Sequence, residues 1–405
     1  MKQLPGSSRL LELTQLFLHL GSLGFGGPQA HLALLHEEVV VRRHWLSEEA
    51  FLEGVAICEM LPGPASTQMG IYTGFVRGGP WGAFVAGISF ITPAFLIVLV
   101  LSWFYFRYQQ LPQLQALFLG ISPVIIAIIW GFCWKLARKG IQDGIGIALA
   151  LGVCLASAVG KINVLVLFLT AGCLGMIVYR QRTPPAQSLG LSQVVPLFPP
   201  TPWLANLTSE PLLAASFWHL ERLQTYGIPL SLFFLKIGSF IFGGGLVIVP
   251  LMETEVVHQF QWLTPHEFLN GVAIGELTPG PVVITAAFIG YKVAGCLGSL
   301  LATVSIFAPS FAFILIAAPL LSRLRQVEWV KSFLRGVTPA VLGAVAAATL
   351  PLSLAAFARP TLLETIGASV LGLAALIALI RFRRPTWQLV LSGAAVGLGW
   401  SLVLP

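Results

Sequence analysis

The chain contains one segment twice. Phe17–Pro64 aligns without a gap on Phe234–Pro281, 217 residues later, and 23 of the 48 paired positions are identical. FLHLGSLGFGG pairs with FLKIGSFIFGG, and WLSEEAFLEGVAICEMLPGP pairs with WLTPHEFLNGVAIGELTPGP. After a one-residue gap the offset becomes 216, which pairs Pro93 with Pro309, Gly120 with Gly336 and Pro123 with Pro339. A duplication of this length obliges the fold to be built from two copies of one unit. Residues 1–182 form the first unit and 228–405 the second. Between them, 183–227 carries TPPAQS and PLFPPTPW, too much proline for a stable span. It reads as a linker with a short surface helix near Leu212–Leu223.

Composition decides the medium around the two units. Of the 405 residues 56% are hydrophobic and only 10% charged, with a mean hydropathy of +0.86. A soluble domain carries about 25% charge, so the surface of this protein faces lipid. The fold class that follows is an all-α polytopic membrane protein. The net charge of +7 then marks cytoplasmic loops rather than a nucleic-acid surface, and no nucleic-acid partner is expected. Cys58, Cys133, Cys154, Cys173 and Cys296 stand singly in apolar runs and read as small buried residues. Nothing in the sequence calls for a metal or a cofactor, and the P-loop and H-E-x-x-H motifs are absent. The first residues lack the small-residue cleavage site of a secretory signal, so the first apolar segment is expected to be retained.

A hydrocarbon core about 30 Å thick needs roughly 20 apolar residues in a helix. Windows 82–104, 114–134, 144–160 and 162–179 fit this or nearly so, as do 296–321, 332–357, 362–380 and 386–404. Four other apolar stretches are interrupted. Leu10–Phe25 runs into Gly26-Gly27-Pro28, and Glu49–Leu61 into Pro62-Gly63-Pro64; Ile228–Phe242 runs into Gly243-Gly244-Gly245, and His266–Thr278 into Pro279-Gly280-Pro281. A 13-residue arm reaches only about 20 Å and stops inside the bilayer, where broken backbone survives only if buried in protein or lining a wet cavity.

Cations orient the copies. Arg107 alone follows the first ordinary span and Lys135, Arg138 and Lys139 follow the second; in the second unit Arg323, Arg325 and Lys331 come first and Arg359 stands alone afterwards. The last loop holds Lys161 in one copy and Arg381, Arg383 and Arg384 in the other. By the positive-inside rule, matching loops lie on opposite sides, an inverted-topology repeat. Arg42 and Arg43 precede the first PGP and Arg77 follows it, so that segment reads as a re-entrant hairpin. One crossing by the GG-broken segment and four ordinary spans give five per half and an external N-terminus. An internal N-terminus would require a further crossing, in the linker.

Glu59 and Glu276 stand three residues before the two PGP turns. Ionising an unpaired carboxyl at that depth costs several kcal/mol, so the protonated form gains ground, as a proton carrier requires. The alternative is that each Glu only holds its turn shut through backbone N–H groups. Half-helices that begin after Gly26, Gly27, Pro62, Gly63 and Pro64, and after Gly243, Gly244, Pro279, Gly280 and Pro281, offer unpaired N–H groups to an oxyanion. Ser66, Thr67 and Gln68 follow the first PGP and Thr285 the second, each able to donate to an anion oxygen. Lys236, matched by His19, is a cation within an apolar helix that either offsets an anionic substrate or snorkels to the interface. Glu38, near Arg42 and Arg43, reads as a structural ion pair.

The repeated FGG, the Gly-Val-Ala-Ile-x-Glu-x-x-Pro-Gly-Pro stretch, and Thr92-Pro93-Ala94-Phe95 with Ala308-Pro309-Ser310-Phe311 resemble the chromate ion transporter family in its long, two-domain form. The resemblance covers both halves. It implies a multi-pass carrier of the bacterial inner membrane that expels chromate, driven by the proton gradient, and confers chromate resistance. Members of that family are described with an odd total of spans and an internal N-terminus, at odds with the count above. Gly245 stands where the first copy has Pro28, and Thr278 where it has Leu61, so the two cradles are not equivalent.

The reading that results is a proton-coupled oxyanion antiporter whose partners are chromate or a similar oxyanion, protons and the bilayer, with room for a homodimer. Sulfate or another oxyanion is the nearest alternative substrate, and an anion channel without energy coupling the alternative mechanism. No catalytic dyad is visible, so an enzyme is not expected.

Overall fold

In a computed structural model, residues 7–141, 143–159, 164–180, 220–241, 248–324, 328–359 and 361–403 are described, and among them all regular structure is helical. The first unit contains α1 (Ser7–Leu23), α2 (Pro28–His36), α3 (Glu48–Met60), α4 (Ala65–Tyr108), α5 (Pro112–Gly140), α6 (Gly144–Val159) and α7 (Val164–Arg180). The second contains α8 (Leu220–Gly238), α9 (Ile248–Glu253), α10 (Pro265–Leu277), α11 (Thr285–Leu324), α12 (Glu328–Phe357), α13 (Leu362–Ile380) and α14 (Thr386–Val403). Each α-helix has its repeat counterpart. Even the π-helical turn Glu37–Arg42 after α2 recurs as Thr254–Gln259 after α9. Helix α8 begins inside the stretch read as linker; most of the expected surface helix near Leu212–Leu223 lies outside the described residues.

Two nominally long helices are hairpins. Within α4 the backbone leaves helical geometry at Gly78 and Gly79, and within α11 at Ala294 and Gly295, with φ near +63° at both Gly79 and Gly295. A left-handed residue of this kind favours glycine. The two arms then fold back so closely that a Cβ on Gly74 would strike the Gly82 backbone, and one on Gly290 the Gly298 backbone. The arms before the reversals are residues 65–77 (α4a) and 285–293 (α11a). Those after are 80–108 (α4b) and 296–324 (α11b).

The units interlock. Within each, α1 lies along α4 and α8 along α11; between them, α5 packs on α13 and α14 while α12 packs on α6 and α7. Glycines allow these crossings, since a Cβ on Gly120 would meet the backbone of Gly393 and Gly397, and one on Gly336 the backbone of Ala171 and Gly175. The Ile121–Ile129 run of α5 is buried throughout, whereas Val100, Leu151, Leu155, Ile177, Leu354, Val370 and Leu373 point outward. Such an apolar exterior is tolerable only against lipid. Among the described residues, five helices are long and apolar enough to cross a membrane: Ala65–Tyr108, Pro112–Arg138, Val282–Ile316, Ser332–Phe357 and Leu362–Ile380. Gly144–Val159 and Val166–Tyr179 are apolar but shorter.

The bases of the broken segments mark opposite ends of α4b. At its start, Arg77 pairs with Glu12 at 3.3 Å, and both Arg77 (5.0 Å) and Arg43 (5.2 Å) lie over the Trp45 ring. At its end, Lys292 pairs with Glu267 at 2.7 Å and lies 4.9 Å over Phe106, while Asn270 donates to Tyr105 at 3.0 Å. A helix of that length is about 40 Å long. The first cluster also corrects an expectation. Glu12 near the start of α1 and Trp45 beyond α2 meet at one level, so the GG-broken segment turns back instead of crossing. Hydropathy measures how far an apolar run reaches, not whether it returns.

Candidate functional site

All the described breaks converge. The amide of Gly63, in the first PGP turn, donates to the Ile241 carbonyl at 2.7 Å, where α8 breaks; the amide of Gly280, in the second PGP turn, donates to the Gly24 carbonyl at 2.9 Å, where α1 breaks. These are the same hydrogen bond made twice, each time from one repeat to the other. Gly63 and Gly280 have φ of 136° and 105°, a region L side chains rarely enter, which is why glycine stands between the prolines. Beyond Gly24 the chain turns through Gly26 (φ 110°) and Gly27 (φ 79°), with Gly27 as N-cap and Pro28 as first residue of α2. The turn is braced by the His31 ring, whose Nε2 lies 2.6 Å from the Gly24 carbonyl. Gly243 and Gly244 lie outside the described residues.

Around Gly63 the polar groups are buried but incompletely satisfied. The Gln68 amide donates to the Pro62 carbonyl at 2.7 Å, yet its Oε1 has no partner, nor do Thr67 Oγ1 and Ser310 Oγ. All three residues are 0% exposed. A side chain on Gly63 would collide with both Gln68 and Ser310, so Gly63, Gln68 and Ser310 form one cluster, with Thr67 next to Gln68 in sequence. Helix α4 begins directly after Pro64. Ser66 is buried too, but beside His31, Phe17 and Phe90 rather than in this cluster. Ser310, contributed by the other repeat, is a site residue that reasoning on single segments missed. Its only sequence signal is its place in the repeated Pro-containing motif.

The second turn is chemically different. Ala94 stands where symmetry calls for Ser310, and a Cβ on Gly280 would meet its methyl at 2.9 Å. Thr278 donates to Ile274 at 2.7 Å and Thr285 to Val282 at 2.9 Å, so both hydroxyls are committed to backbone. Pro281 leads into the 3-10 turn Val282–Ile284, in which the Ile284 amide bonds to the Pro281 carbonyl at 3.0 Å. Glu276 is 8% exposed; Thr386 bonds to its carboxyl, while its Oε1 has no partner. Near Thr386, Trp387 meets Phe25 of the first repeat's break at 5.9 Å between ring centroids.

Glu59 is exposed although it is the counterpart of Glu276. The packing explains it: Phe268–Glu276 of α10 is buried throughout against α5, α11, α12 and α14, whereas the main partner of α3 is α4 alone. Both helices start with good local signals, Ser47 capping α3 and a Thr264–Glu267 capping box starting α10, so tertiary contacts make the difference. Lys236 forms an ion pair with Glu255 and lies 5.6 Å over Phe233; its charge is met within its own repeat. Glu38 pairs with Arg42 at 3.0 Å and Arg43 at 3.2 Å, the structural pair expected. Cys58, Cys133 and Cys296 are buried, but Cys173 is exposed, against expectation. No metal-binding cluster of His, Cys, Asp or Glu occurs among the described residues. Away from the convergence, at the end of α4b, a cavity of about 410 Å³ is lined in part by Tyr105, Gln115, His266, Asn270 and Arg359.

The chromate transporter family model matches residues 11–176 and 228–398, one stretch per repeat. The chain is 33% identical to a chromate transport protein of Cupriavidus metallidurans over 96% of this chain and 92% of the relative. It is 35% identical to a probable chromate transport protein of Synechococcus elongatus over 85% of this chain and 84% of the relative. An uncharacterized transporter of Bacillus subtilis is 34% identical over 33% of this chain but 74% of its own length, so a single repeat corresponds to most of that protein. No solved structure matches. With both repeats matched and nearly the whole chain aligned to such relatives, the protein belongs to the chromate transporter family.

Proposed function

We propose that this chain is a proton-coupled chromate efflux carrier of the bacterial inner membrane, and that its activity confers chromate resistance. The observation that carries the reading is Glu276: a buried carboxyl with one unpartnered oxygen, held where the broken helices of both repeats meet. A carboxyl in that setting is costly to ionise unless a cation or water reaches it, so it can load a proton from one side and release it on another. Chromate, a tetrahedral dianion, would bind among the helix tips. An ionised Glu276 close by would repel it, which links proton and anion movement.

The two repeats are read as inverted. Support comes from the hairpin bases at opposite ends of α4b and from the cations, since Arg42, Arg43 and Arg77 share one end and the richer loops follow the same alternation. With the first GG-broken segment returning, the helices left to cross after each PGP turn are α4b to α7 and α11b to α14. Loose packing of α3 against tight packing of α10 fits one of two alternate states, with exchange of these roles exposing the site to the other side.

Sulfate, of equal charge and similar shape, is the competing substrate. The test is chromate flux into liposomes with and without an imposed pH gradient, in competition with sulfate. Gradient-driven, uphill chromate flux supports the carrier. Flux that only dissipates a chromate gradient would make it a channel.

A further inference from the structure

We infer that the two PGP turns divide the work: the first binds the oxyanion, with Ser310 of the opposite repeat as a specificity-determining residue, and the second handles the proton through Glu276. This deepens the carrier reading and rests on it. Three observations favour an anion at the first turn. Thr67 Oγ1 and Ser310 Oγ are fully buried without partners, and an unpaired buried hydroxyl is costly unless a ligand or water meets it. Helix α4 starts directly after Pro64 and runs 13 residues to its reversal, so its first-turn amides add positive potential at the same place. Glycine at position 63 lets this backbone approach closely.

The second turn keeps its glycine, Gly280, but differs in the other two respects. Its hydroxyls, Thr278 and Thr285, already donate to carbonyls; Ala94 replaces the cross-repeat serine; and the 3-10 turn consumes the Ile284 amide. What it holds instead is a carboxyl, Glu276, which repels anions when ionised. The first turn's own carboxyl, Glu59, is exposed and belongs to the loosely packed α3. Anion and proton therefore occupy non-equivalent halves of a duplicated site. Gln68 offers a further donor through its second amide N–H, the first being taken by the Pro62 carbonyl.

Equilibrium dialysis of the purified, detergent-solubilised full chain against chromate tests this, with sulfate as a second probe. The expected result is one anion per chain. Ser310→Ala and Thr67→Val should each weaken binding about tenfold or more, the usual loss for a hydrogen bond to a charged group, and leave the pH dependence of binding in place. Thr278→Val and Thr285→Val should change affinity less than twofold. Glu276→Gln should keep binding but flatten its pH dependence. Thermal unfolding of every variant separates misfolding from lost contacts, and Ser310→Thr, which keeps the hydroxyl, should retain most of the binding lost in Ser310→Ala. Unchanged affinity in Ser310→Ala, or equal loss in Thr278→Val, overturns the division. Wild-type protein that binds sulfate but not chromate would instead overturn the chromate reading while leaving the division of the turns standing.

Discussion

Glu59 and Glu276 occupy the same place in a duplicated motif, yet Glu59 is exposed and Glu276 is buried with an oxygen unmet. The difference arises outside the motif, in what packs on the helix that carries each residue. Helix α10 is enclosed by α5, α11, α12 and α14, and α3 has no such enclosure.

Substituting the two carboxylates should therefore have unequal effects. Glu276→Gln removes the titratable group at the convergence and should abolish the response of chromate flux to a pH gradient. Glu59→Gln should retain at least half of that response. Flux in liposomes checks both, and full retention by Glu276→Gln as well would remove carboxylates from the coupling.

The turn glycines should separate by what surrounds them. Gly63→Ala combines a strained φ of 136° with collision against Gln68 and Ser310, and should destabilise by about 3 kcal/mol or more. Gly79→Ala has φ 63° and ψ −156° but open space around it, so only the backbone term of about 1–3 kcal/mol applies. Thermal unfolding in detergent should rank them in that order.

The ion pair Lys292–Glu267 closes the base of the second hairpin, with side chains 18% and 14% exposed. Lys292→Met leaves a poorly hydrated Glu267 and should destabilise by roughly 1–3 kcal/mol. Arg42–Glu37, with both side chains more than half exposed, should contribute less than about 1 kcal/mol. Double-mutant cycles on each pair measure the coupling directly.

Opposed hairpin bases predict opposed accessibility. Arg43→Cys and Glu267→Cys should react with a membrane-impermeant thiol reagent from opposite sides of the membrane, the first in inverted vesicles and the second in intact cells. Labelling of both from one side would mean that the repeats share an orientation.

Much of this protein is determined by its sequence alone. The duplication, the eight apolar windows and the positions of the breaks are local properties: hydropathy, proline without an amide, and glycine free to take positive φ. These put the helix ends and the two PGP turns where the structure has them. Only the tertiary structure decided partners and direction. It turned α2 back beside α1, met the charge of Lys236 with Glu255, brought Ser310 from the far repeat to Gly63, and buried one of two identical glutamates. Pairing depends on which helix lies alongside, and two copies of one motif carry the same local information. Their difference therefore lies in the surfaces that pack against them.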